Sequence, residues 1–134
     1  MKSKPFLLIT NQMNHRLITL LELTLRPSGE LTVIDASETA PRLLDGKYSL
    51  IIVDSAAVSE PELLVSQLRD RMPDCRVVVI TPEPSWETAR AAFEAGAMDF
   101  LPNTLGVQEL QDSFDEILRK PVPPWPRWPK KRVL

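Results

Sequence analysis

The chain has 134 residues, 43% of them hydrophobic and 25% charged, which bounds a single globular domain with one real core. No apolar run approaches the ~20 residues needed to cross a bilayer. The short run after MKSKP lacks a signal-peptide core and cleavage site. A lone cysteine, Cys75, excludes an internal disulfide or a cysteine-based zinc site and reads as a small buried residue at a strand start. These features describe a cytoplasmic protein without a membrane segment. The net charge of −2 conceals an asymmetry: residues 1–119 carry all 18 acidic residues against 11 basic ones, while 120–134 carry five basic residues and no acid.

Along the chain two hydrophobic periods alternate. Phe6 to Ile9 reads as a first strand, and residues 13–26, MNHRLITLLELTLR, as a helix with Leu17, Leu20, Leu21, Thr24 and Leu25 at helical spacing, stopped by Pro27-Ser28-Gly29. His15, the only histidine, falls in its first turn as a solvated residue without catalytic or metal partners. Leu31 to Ile34 is a second strand, and Ser37 caps a short helix through about Leu44. Leu50 to Val53 is a third strand that runs into Asp54. Ser59 and Glu62 have the spacing of a capping box for a helix through Arg71. Arg76 to Ile80 is a fourth strand, Ser85 opens a helix to about Glu94, Met98 to Leu101 is a fifth strand, and Thr104 caps a last helix through Arg119.

This is a (βα)5 order. Its strands are short continuous apolar runs, so both faces of a parallel sheet are covered by helices, in a doubly wound α/β architecture. Ligands of such sheets bind at the carboxyl ends of the strands. Asp54 stands at one such end, and Thr10-Asn11, Thr81 and Asn103 stand at others.

"LIIVD" before the loop, "VVVIT" and "AFEAGAMDFLPN" together make residues 5–120 resemble a response-regulator receiver domain of two-component phosphorelay signalling. The resemblance implies a flavodoxin-like sheet in strand order 2-1-3-4-5, with the first and last helices on one face and the other three on the opposite face. It makes Asp54 the phosphoacceptor equivalent, Thr81 the switch hydroxyl and Phe100 the aromatic switch position. The plainer readings stay open: Thr81 capping its loop, Phe100 packing. Active members hold Mg²⁺ between the acceptor and two acids after the first strand, and neutralise the phosphoryl oxygens with a lysine after the fifth. Here the acidic pair falls on Thr10 and Asn11, or on Asn11 and Gln12, and the lysine position is Asn103, whose side chain could donate to Asp54 instead. Mg²⁺ prefers carboxylate oxygens and sheds water reluctantly, so one carboxylate among amides and hydroxyls makes a weak site.

The expected function is therefore a stand-alone, degenerate receiver-like module that acts by protein–protein contact rather than catalysis, with no metal or cofactor and with a sensor kinase or other signalling protein as partner. No output domain fits in the remaining residues. The competing expectation is a true phosphoacceptor regulator, using Mg²⁺ and modified at Asp54. A more remote one is a flavodoxin-like cofactor binder, which the glycine-free turn TNQMNHR disfavours. Residues 121–134 form a separate Pro/Trp-rich basic tail. Its prolines favour an extended polyproline conformation that puts Trp125 and Trp128 on one edge, as a disordered tail or as a docking strip for its own body, a homodimer or a partner. The acidic body argues against nucleic acid.

Overall fold

A computed structural model describes residues 4–38 and 48–125. Five strands are present: β1 (Lys4–Thr10), β2 (Gly29–Asp35), β3 (Leu50–Asp54), β4 (Arg76–Thr81) and β5 (Asp99–Pro102). They pair in parallel throughout, in the order β2-β1-β3-β4-β5. Among the described residues four α-helices join them: α1 (His15–Leu25), α2 (Pro61–Arg71), α3 (Trp86–Glu94) and α4 (Val107–Arg119).

Successive strand residues face opposite ways, and each face meets its own helices. Phe6, Leu8, Leu50, Ile52, Val78 and Ile80 pack with the Leu17, Leu21 and Leu25 stripe of α1 and with Leu110, Phe114 and Ile117 of α4. Leu7, Ile9, Ile51, Val53, Val77 and Val79 pack with Val65 and Leu68 of α2 and Ala92 of α3. Each fully buried side chain of this size stabilises the fold by roughly 1.5–3 kcal/mol relative to exposure. Gly29 admits the close return of the chain into β2, because a Cβ there would lie 2.5 Å from the Lys4 carbonyl and from the Phe6 ring.

The second expected helix begins as a single 3-10 turn, Ala36–Glu38, and its remainder lies outside the described residues. Two expected caps are replaced. Pro61 occupies the first position of α2, where its missing N–H costs nothing, so Glu60 is the N-cap and the Ser59–Glu62 box does not form. α4 starts later than Thr104 implies: Gly106 is its N-cap, and Glu109 reaches back to accept the Gly106 N–H at 3.0 Å. At α3 the Ser85 cap forms, reciprocated by Thr88. Among the described residues no helix is long and apolar enough to cross a membrane. Cys75 is buried, and desolvation pushes its thiol up to about 12, so it stays protonated and inert.

One carboxylate works against the fold at neutral pH. Burial at the start of β5 raises the Asp99 pKa, opposed in part by the Phe100 N–H that it accepts at 2.8 Å. The folded state holds this proton to higher pH than the unfolded chain does. Stability from this group therefore falls as pH rises through that window and stays reduced above it. Asp99→Asn, which keeps the acceptor oxygen, is expected to raise the melting temperature at pH 7. The gain should shrink towards zero as pH falls below the usual carboxylate range, measured by thermal denaturation across pH.

Candidate functional site

The carboxyl ends of β1, β3 and β4 meet around one buried carboxylate. Asp54, the last residue of β3, is 1% exposed. Its Oδ2 accepts the Thr10 hydroxyl at 2.7 Å, and its Oδ1 accepts the Ala56 N–H at 3.1 Å. Thr10 ends β1 and is itself fully buried, so the strand register delivers a neutral hydroxyl to the carboxylate. The ion pairs Arg90–Glu94 and Lys120–Glu116 are surface helix pairs and do not involve Asp54.

Asn11 is exposed, and its side-chain oxygen accepts the Met13 N–H at 2.9 Å instead of turning to Asp54. The other amides of this loop are also occupied. Gln12 N–H donates to Asp35, Asn14 N–H to the Asn11 carbonyl and His15 N–H to the Met13 carbonyl. Amides engaged in this way within the loop do not make the phosphate cradle that a flavodoxin-like cofactor would need. Asp35, at the end of β2, is an acid near the site that the sequence reading did not single out. Its pKa is lowered by the Ser37 hydroxyl first and then by the Gln12 and Ser37 amides, so it is committed to its own turn. The D-x-S spacing was the available signal.

Thr81 is buried at the end of β4, where its hydroxyl accepts the Glu83 N–H at 3.1 Å. It shares with half-buried Phe100 a slot of about 160 Å³ between α2 and α3, lined also by Val79, Pro61 and Ala92. Asn103 is tied to the same strand end by its backbone, its N–H donating to the Thr81 carbonyl at 2.8 Å; among the described residues the donors to Asp54 are Thr10 and Ala56 and not Asn103. A wider cleft of about 500 Å³ is bounded by Asn11, Asp35, Ser37, Ser59 and Leu63, and Asp54 does not line it. His15 is exposed at the start of α1.

Mg²⁺ does not fit this donor set. It would find one carboxylate with both oxygens engaged, a hydroxyl donor in place of an acid, and a second acid bound to its own turn. Among the described residues no group of three or more His, Cys, Asp or Glu side chains could hold a metal ion.

Trp125 is far from this end of the sheet. Its indole N–H donates to Asp70 Oδ1 at 2.6 Å, and its ring lies 5.5 Å from the guanidinium of Arg69 on α2. Trp128 lies outside the described residues. Arg69, 1% exposed, is a residue that the sequence reading passed over, because SQLRDR reads as a charged helix end.

A doubly wound sheet with a single aspartate at the end of its central strand defines the class of this site. No family model matches the sequence. Over 81 residues, 60% of the chain, it is 32% identical to the DNA-binding transcriptional regulator NtrC of Azospirillum brasilense, of which the chain spans 17%. The orphan response regulator HP1043 of H. pylori superposes with a TM-score of 0.75 at 22% identity, covering 89% of this chain and 100% of that one. A response regulator of Burkholderia pseudomallei, solved with a phosphorylated aspartic acid, a calcium ion and citrate, gives 0.64 at 26% identity, covering 90% and 76%. The chain has the fold of the response-regulator receiver domains.

The Thr10–Asp54 bond can be weighed directly. Thr10→Val keeps the shape and removes the donor to a buried carboxylate, which is expected to cost about 2 kcal/mol of unfolding free energy. In an Asp54→Leu background the same change should cost much less, since both polar partners are then gone. Urea titration of the four proteins measures the coupling.

Proposed function

We propose that this protein is a degenerate receiver-like signalling module, cytoplasmic and non-enzymatic, that works by contact with a protein partner and does not depend on phosphorylation of Asp54. The observation that carries this reading is the hydroxyl of Thr10 bound to Asp54 where an active receiver needs an acid. Phosphorylating an aspartate places additional negative charge against a carboxylate, and catalysis there consists largely of neutralising it. A hydroxyl and a backbone N–H supply hydrogen bonds but no net positive charge. Thr81 and Phe100 then act as packing around their slot rather than as a phosphoryl-driven switch, and Asn103 supports the strand end without the charge of a lysine.

A small phosphodonor with Mg²⁺, followed by intact mass, tests the reading. The wild-type protein is expected to gain no phosphoryl group, and its melting temperature should not respond to millimolar Mg²⁺. The variant Thr10→Asp with Asn11→Asp and Asn103→Lys brings three carboxylates and a cation to the strand ends. It should gain a melting-temperature rise with Mg²⁺ and a phosphoryl adduct that Asp54→Asn abolishes. A phosphoryl group on wild-type Asp54 would overturn the proposal.

A further inference from the structure

After α4, residues 121–125 stay against the domain. Lys120 turns extended, with φ −81° and ψ 145°, and residues 121–125, PVPPW, run to the carboxyl end of α2. Two arginines line this path. Arg76, the first residue of β4, donates from Nε to the Ile117 carbonyl at 3.1 Å and from Nη2 to the Lys120 carbonyl at 2.7 Å. Arg69 donates from Nη1 to the Gly96 carbonyl at 3.0 Å and from Nη2 to the Pro123 carbonyl at 2.7 Å. The Trp125 indole completes the set through Asp70 and through its ring against Arg69. Gly96 is the seat for that ring. Its φ of +114° suits glycine, and a Cβ there would fall 2.8 Å from Arg69 Cγ and 3.0 Å from Trp125 Cζ3.

Each contact reads a different chemical feature of the segment. A buried guanidinium reads a proline carbonyl, a carboxylate reads the indole N–H, and a cation faces the aromatic ring. Prolines suit such a ligand because an extended proline-rich backbone is ordered before it binds. The segment adds no strand or helix bonds to the domain, and Pro121 and Pro124 remain exposed, so it can open without unfolding the core.

We infer that Arg69, Asp70 and Gly96 form a peptide-recognition site for a proline–tryptophan strip, and that its occupant is this chain's own segment 121–125, docked reversibly in cis. The site lies at the opposite end of the sheet from Asp54. Docking carries residues 121–125 from the α1/α4 face round to α2.

The test uses the full chain and a fluorescent peptide of residues 119–125. Trp125→Ala vacates the indole seat and should bind the peptide saturably. Wild type should bind at least about tenfold more weakly, because the tethered segment competes at high effective concentration. Trp125→Phe keeps a ring on Gly96 but loses the N–H donor, and should fall between the two; it also serves if the alanine variant does not fold. Adding Arg69→Met to the binding-competent variant should abolish binding, as should alanine in place of the peptide's tryptophan. Equal binding by wild type and Trp125→Ala, no binding by a folded Trp125→Ala, or undiminished binding after Arg69→Met is added, overturns the site. A wild-type dimer by light scattering whose peptide binding rises on dilution overturns the cis assignment in favour of a second copy.

Discussion

Burying β1, β3 and β4 on both faces confines polar chemistry in this domain to the two ends of the sheet. The strand interiors contribute only apolar side chains to the two cores, and their backbone groups are consumed by parallel pairing. A charged group near the core is tolerated only where a strand stops and loop amides or hydroxyls can reach it. Asp54 is such a group at the carboxyl end, and Arg69 and Arg76 occupy the amino end.

The two ends solve the same physical problem in opposite ways. At the carboxyl end a buried anion is held by a hydroxyl and an amide, which satisfy its lone pairs without offsetting its charge. At the amino end two cations are held by carbonyls of α4, the α3–β5 turn and the segment after α4, with one aromatic face added. Arg76 also meets the carbonyls at the end of α4, where the helix dipole favours a positive charge. The first arrangement engages both oxygens of its one carboxylate. The second is complete only when residues beyond the last helix are present.

The strands and most helices were legible because uninterrupted apolar runs and a 3.6-residue stripe leave few alternatives. The sheet order was not legible in that pattern and came from resemblance. The caps of α2 and α4 misread for a local reason: Pro61 and Gly106 set the entry geometry, and backbone conformation overrode the side-chain spacing of Ser59–Glu62 and Thr104. At the site, Asp54, Thr10 and Thr81 could be named as strand-end residues. The inward hydrogen bond of Thr10 and the outward turn of Asn11 depend on pleat and loop geometry that residue identity does not encode. Arg69 was illegible for a stronger reason. An arginine in a charged helix end reads as solvated, and its burial is created by Gly96 and Trp125, 27 and 56 positions further along the chain.

On the proposed reading, the pocket bears on how such a domain could signal. A two-state element shifts only when something binds its two states unequally. In an active receiver the phosphoryl group supplies that difference by pulling on the switch hydroxyl. Thr81 here already accepts the Glu83 amide, and Phe100 is packed at the edge of the slot that the two share. With no phosphoryl charge to redirect them, the free energy for any change must come from surface contacts. A protein that inserts an apolar group between α2 and α3 could supply it. So could one that competes for the seat on Gly96, since the carbonyl of Gly96 and Arg69 tie the end of α3 to α2 and to residues 121–125. α2 thus flanks the Thr81–Phe100 slot and also carries Arg69 and Asp70, which hold the segment after α4, while Gly96, the seat of Trp125, follows α3, the other flank of the slot.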